Sequence, residues 1–209
     1  MTDMHARNPG EVSRRERKKD ETRERIAQVA LALFLERGFA ATTVDEIAQR
    51  ADVAKGTFFN HFPRKESVLT HFATADVDRL EELVDDALAA NLPMRQALAD
   101  VFRRSGEPYE RTPELSRVLF LEMMKGPDDA LFEIHTRAHT AVRRLVDRAQ
   151  SRGELRAAAD PDRATELLRG VFISTTLVWL HAPDVFELRS EIRARLTLLI
   201  DGLSAEGAR

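Results

Sequence analysis

Residues Thr43 to Phe62 read TVDEIAQRADVAKGTFFNHF, and this stretch decides the fold. Thr43-Val44-Asp45-Glu46 is a capping box, with a hydroxyl at the N-cap and a carboxylate three residues on. It opens a short helix from Val44 to Ala51. Asp52-Val53 breaks that helix, and a second short helix begins near Ala54. Pro63 ends the second one, because proline cannot continue a helix interior. Two short helices joined by a tight turn are the requirements of a helix-turn-helix. Ala48 supplies the small residue at the crossing. Asp52 is among the few residues besides glycine that tolerate the positive φ of such a turn. Ile47, Ala51, Val53 and Phe58 seal the crossing from inside. The second helix then exposes Lys55, Thr57 and Asn60. Lysine suits guanine edges, asparagine suits adenine edges, and threonine contacts a base or a phosphate.

Upstream, Ile26, Val29, Ala30, Leu33 and Phe34 form one apolar stripe at helical spacing from about Asp20. Gly38 stops this helix. Residues 1–13 carry no apolar period and contain Asn8-Pro9-Gly10, so they read as a disordered tail. The basic run Arg14, Arg15, Arg17, Lys18 and Lys19 extends that tail to residue 19. As an N-terminal arm it can track phosphates or enter a minor groove. Interleaved with Glu16 and Asp20, it equally suits a solvated helix end.

At these residues the chain resembles the tetracycline-repressor (TetR) family of bacterial regulators. The resemblance runs from Thr22 to Leu69. It rests on Phe34 with Gly38-Phe39, Thr42-Thr43-Val44 with Ile47-Ala48, and Thr57 through Phe62 followed by Lys65-Glu66. It implies a three-helix DNA-binding domain over residues 20–65 and an effector-binding and dimerisation domain over residues 66–209. It also implies a DNA-contacting set of Thr43, Lys55, Gly56, Thr57, Phe59, Asn60, His61 and Lys65, with Thr43 and Lys65 mainly on phosphates. Four positions depart from the family pattern. Asp52 replaces the usual turn glycine, and Ala54 and Arg64 replace serine caps. Phe59 replaces a tyrosine whose hydroxyl bonds a phosphate.

Composition agrees with a two-part protein. Apolar residues are 43% and charged residues 32%, a globular rather than a disordered balance. With no cysteine, disulfides and thiolate chemistry are excluded. The net charge of −3 hides an asymmetry: residues 1–70 hold 13 Lys/Arg against 11 Asp/Glu, and the remainder 19 against 24. No apolar leader is visible, and the longest apolar stretch, Val171 to Ala182, is well short of the ~20 residues of a membrane span. The expectation is a cytoplasmic protein.

Beyond Pro63, helical segments alternate with breakers at Asn91-Leu92-Pro93, Gly106 to Pro113, Gly126-Pro127, Gly153 to Pro161 and Ala182-Pro183-Asp184. No segment alternates as a strand would. The whole reads as all-α with about nine helices. The middle helices are rich in soft and aromatic side chains, which in this family surround an effector. Phe102, Phe120, Met123, Phe132, Phe172 and Trp179 are the candidate pocket residues. Glu122, His135 and His139 are its candidate polar handles, because Glu122 shares a stripe with Leu115, Val118 and Leu119, and His135 with Leu131, Ala138 and Val142. A buried carboxylate or imidazole needs a partner, either a ligand or an internal group. In the last two helices, Leu168, Val171 and Thr175, with Leu188, Ile192, Leu196 and Leu199, form stripes that suit a dimer seam. The same stripes suit the subunit's own core.

His135 and His139 stand four residues apart but lack a third ligand at a fixed spacing, so no metal is expected, nor any other cofactor. No nucleophile elbow, phosphate loop or paired acids point to an enzyme. The reading is a homodimeric, ligand-responsive regulator that leaves a palindromic operator when a small apolar or aromatic effector binds. The rivals are an effector-independent architectural or activator protein, and an all-α enzyme carrying an incidental helix-turn-helix.

Overall fold

In the computed structural model the described residues are 14–123 and 129–204, with the side chains of Glu122, Met123 and Asp129 outside the description. Among these residues there are ten helices and no strand, only an isolated bridge between Leu155 and Ser204. The chain divides after Val68 into two compact units.

The first unit holds α1 (Arg14–Arg37), α2 (Val44–Arg50) and α3 (Lys55–His61). Its core is Ile26, Ala27, Ala30, Leu33 and Phe34 of α1, Ile47 and Ala48 of α2, and Phe58 of α3, with Phe62 just beyond. Gly38 takes φ +83, and its amide reaches the carbonyl of Phe34, ending α1. Thr43 accepts from the Glu46 amide at 3.2 Å, and Glu46 accepts from the Thr43 amide at 2.9 Å, completing the capping box. Asp52 takes φ 52, as the turn requires. Arg25 Nε donates to the Ala51 carbonyl at 3.1 Å, tying α1 to that turn. Ala54 caps α3 without a side-chain bond.

One expectation fails here. Arg14 to Lys19 are not a tail but the first turns of α1. Arginine, lysine and glutamate are strong helix formers, so the helix extends through the basic run.

Helix α4 (Glu66–Ala89) begins in the first unit and continues in the second. The second unit adds α5 (Met94–Ser105), α6 (Glu107–Arg111), α7 (Pro113–Met123), α8 (Asp129–Ser151), α9 (Pro161–His181) and α10 (Leu188–Leu203). The five-residue α6 lies within the run read from sequence as a breaker. Gly106 precedes it, and a Cβ there would stand 3.3 Å from the Arg189 side chain and 3.5 Å from Ile192. Glycine therefore allows the close approach of α10. The core of this unit gathers Leu98, Val101 and Phe102 of α5, Val142, Leu145 and Val146 of α8, Leu168 and Leu180 of α9, and Leu188, Ile192, Leu196 and Ile200 of α10. Each such side chain contributes roughly 1.5–3 kcal/mol when fully buried. Arginines fasten α8 to α4: Arg137 bonds Asp78 and Glu81 at 2.5 and 2.6 Å, and Arg144 pairs with Asp85 at 2.7 Å.

Candidate nucleic-acid interface and effector site

Phe58 anchors α3 inward, and this decides what the helix shows outward. Lys55, Gly56, Phe59 and Asn60 are exposed, while Thr57 and His61 are half-buried. The Lys55 ammonium lies 2.8 Å from Asp45 of α2, an exposed pair that a base edge can displace at little cost. Asn60 and His61 meet Glu16, Lys19, Asp20 and Arg23 of α1 around a surface groove of about 420 Å³. Burial, then Lys19 and Arg23, hold the His61 imidazole below its ordinary pKa. Its Nδ1 is buried without a partner. Protonating that nitrogen would bury an unpaired donor, so a neutral ring is favoured. Of the expected arm, Lys19 reaches this groove; Arg14, Arg15, Arg17 and Lys18 line the exposed start of α1.

Two expected phosphate contacts are engaged inside the unit. The Thr43 hydroxyl belongs to the capping box. Lys65 Nζ donates to the carbonyls of Phe39 at 2.6 Å and Thr42 at 2.8 Å, and sits 4.3 Å above the Phe39 ring. Lys65 thereby fastens the loop before α2.

In the second unit, the aromatics divide. Phe120 and Phe172 pack against Tyr109 of α6 at 5.7 and 5.8 Å, and Phe102 packs in turn against Phe172 at 5.6 Å. Burial and the neighbouring Asp76 push the Tyr109 phenol up. Burial likewise pushes the Asp76 carboxyl up to about 6, against the opposing pull of Arg79 and Arg111. Arg79 bonds Glu107 at 2.6 Å, while its buried Nε has no partner. This polar group beside an aromatic cluster escaped the sequence reading. The available signals were the chain's single tyrosine, inside a supposed breaker, and Asp76 sharing a stripe with Ala73, Val77 and Leu80.

The other expected pocket residues lie elsewhere. Trp179 is packed in the core. Phe132 is 72% exposed, and His135 is exposed too, with the Arg169 guanidinium 3.2 Å from its Nδ1. His139 Nε2 is 3.3 Å from Asp162. The two histidines are thus taken by Arg169 and Asp162. The physical reason is that α8 begins to bury side chains only at Ala141, so the apolar stripe through Leu131 and Ala138 runs near the surface. Glu122 and Met123 have side chains outside the described residues.

The comparisons agree with the geometry of the first unit. Residues 26–71 match the model of the bacterial regulatory proteins of the tetR family. The chain is 27% identical to the transcriptional repressor KstR of Mycolicibacterium smegmatis, over 85% of this chain and 87% of that protein. It is 34% identical to the transcriptional regulator TcmR of Streptomyces glaucescens over 64% of this chain and 51% of that one. The structure of FadR from Thermus thermophilus, a TetR-family transcriptional repressor in complex with lauroyl-CoA, superposes with a TM-score of 0.73 at 29% identity. That match covers 86% of this chain and 94% of FadR. Residues 26–71 thus carry the TetR-family pattern, and over most of its length the chain is similar to TetR-family regulators.

Of the residues expected in a dimer seam on the last two helices, most are taken by the subunit itself. Leu168, Leu188, Ile192 and Leu196 lie in the subunit's own core, and Val171 and Leu199 pack against it. Thr175 is buried, its hydroxyl donating to the Val171 carbonyl at 2.6 Å. The heptad-like stripe of α10 is filled by α5 and α9 of the same subunit, because four fully buried side chains need a dense cover. The outward faces of the two helices are nevertheless apolar. Leu167, Gly170, Ile173, Ser174, Leu177 and Val178 form an exposed stripe along α9, and Leu198 of α10 is 75% exposed.

Proposed function

We propose that the protein is a homodimeric transcriptional repressor that holds a roughly palindromic operator and releases it when a small apolar or aromatic molecule binds. The observation that carries this reading is the outward face of α3, where Lys55, Gly56, Phe59 and Asn60 stand clear of the core on a helix-turn-helix braced by α1. Each subunit inserts α3 into a major groove, with Lys55 and Asn60 on base edges and Thr57, His61 and the basic start of α1 on the backbone. Residues 20–65 form the DNA-reading domain, and residues 66–209 take the effector and the partner subunit. The partner is joined through the outward stripe of α9 with Leu198 of α10.

The effector site is the cluster of Phe102, Tyr109, Phe120 and Phe172, with Asp76 as its polar neighbour. The lauroyl-CoA held by the Thermus FadR supports an apolar ligand in this unit. Coupling runs through α4, which begins in the DNA-reading unit and carries Asp76. A ligand acts by binding the operator-competent and released forms unequally. No helix among the described residues is long and apolar enough to cross a membrane, which suits a regulator working in the cytoplasm.

Selection of bound sequences from a random duplex pool by the full-length chain tests the reading. Enrichment of one inverted repeat, lost in Asn60→Ala, is expected. Equal binding of all duplexes would refute it. Addition of lauroyl-CoA, as a first probe of the effector site, should release the operator.

A further inference from the structure

The outward face of α3 carries one large apolar side chain. Phe59 leaves 44% of its surface in water on the face that also carries Lys55 and Asn60. Its ring is held in place: it stands edge-on against the buried Phe58, with centroids 5.5 Å apart and planes at 90°. Gly56, one turn earlier on the same face, carries no side chain, and a Cβ there would meet nothing within 4 Å. The space beside the ring is therefore open to a partner. Phe59 contributes little to the core of its own unit, and it has no polar atom with which to hold a phosphate.

Most of what the major groove presents on its base edges is polar. The thymine C5-methyl group is the apolar exception, and phenylalanine is among the side chains that contact it. Lys55 lies one turn before Phe59 and Asn60 immediately after it, so guanine- and adenine-reading groups flank the ring. We propose that Phe59 reads one thymine methyl group in each operator half-site, beside the bases taken by Lys55 and Asn60. It is thus a specificity-determining residue that recognises a methyl group and nothing else on the base. This rests on the DNA-binding reading above. An apolar ring distinguishes thymine from uracil, and 5-methylcytosine from cytosine, but is indifferent to the polar atoms beside the methyl.

The test uses the full chain and the operator it selects from a random duplex pool. Each thymine is replaced singly by deoxyuridine, which pairs with adenine as thymine does and lacks only the methyl. Losing the burial of one such group costs about fourfold in affinity. For the wild-type protein we expect one position per half-site to show that loss, and about fifteenfold when both half-sites are changed. Phe59→Ala should bind the thymine operator more weakly and be indifferent to deoxyuridine. Phe59→Tyr keeps the ring and should keep the sensitivity. Where cytosine replaces the critical thymine, 5-methylcytosine should recover part of the lost affinity. A wild-type protein that tolerates deoxyuridine everywhere would overturn the proposal, as would a sensitivity that persists in Phe59→Ala. Failure to enrich any operator would instead overturn the DNA-binding reading.

Discussion

A pair of substitutions on the last two helices separates the subunit's core from its proposed interface. Leu196 of α10 and Leu177 of α9 are both leucines on amphipathic helices, yet one is fully buried in the subunit and the other 42% exposed. Leu196→Ala removes three carbon atoms from a core position shared with α5 and α9. Leu-to-Ala changes at such sites cost about 2–5 kcal/mol, depending on how far the surroundings close on the gap. Taking about 3 kcal/mol, and about 2–4 °C per kcal/mol for a chain of this size, Tm should fall by roughly 6–12 °C. Leu177→Glu should leave the isolated subunit almost as stable as before, since exposed changes usually stay within about 0.5 kcal/mol.

The dimer should respond the other way. A two-fold axis brings both copies of residue 177 into one interface, and burying an unpaired carboxylate costs several kcal/mol. The dimer dissociation constant of Leu177→Glu should therefore rise by at least about 1,000-fold, equivalent to some 4 kcal/mol. Sedimentation equilibrium across a concentration series, with circular dichroism melts on the same samples, reads both effects. A Leu177→Glu protein that stays dimeric and binds its operator normally would refute the outward face as the interface. A Leu196→Ala protein with unchanged Tm would refute the burial of α10.

Three further outcomes follow from individual side chains. Asp76 has a folded pKa of about 6, raised above its ordinary 3.8, so its ionisation opposes folding. The folded state holds that proton where the unfolded chain has released it, so stability declines as pH rises from about 4 to 6. Asp76→Asn should remove this decline, melting on the order of 1–2 kcal/mol more stable than wild type at pH 7 after allowance for partial exposure, with the two converging below pH 4. Lys65→Ala removes two charge-assisted bonds to the loop before α2 and should cost about 2 kcal/mol in a denaturant titration, with the salt dependence of DNA binding unchanged. A salt slope flatter by about one unit would mean that Lys65 holds a phosphate after all. Thr43→Ala breaks the capping box and should cost about 1 kcal/mol by the same titration.

The helix-turn-helix was legible because each of its requirements is local. A hydroxyl three residues before a glutamate, an αL-tolerant aspartate, a small residue at the crossing and a proline stop each act within a few residues. The backbone answers with a closed capping box and φ 52 at Asp52. Lys65 shows where that locality ends. Its role depends on the carbonyls of Phe39 and Thr42, more than twenty residues away, and sequence spacing says nothing of what a long flexible ammonium will meet.

The second unit was legible as helices and illegible as a site. Periodicity tells that a helix has an apolar face but not what covers it, and both α9 and α10 have more than one. The more uniformly apolar stripe, Leu188, Ile192, Leu196 and Ile200, is the one the subunit needs for itself, because a core of packed helices must be covered before any surplus face can meet a partner. The outward stripe of α9 is interrupted by Gly170 and Ser174, which lowers its apparent hydrophobicity while letting another backbone come close. The same logic moved the polar handle. His135 stood out because it lay on an apolar stripe, but that stripe runs near the surface until Ala141. Asp76 sits on a helix rich in carboxylates, which hides it in the sequence, yet its charge acts on the Tyr109 phenol. The environment of this half-buried carboxyl is set by what a distant helix brings to it, Tyr109 and Arg111 of α6, together with Arg79 one turn along its own helix.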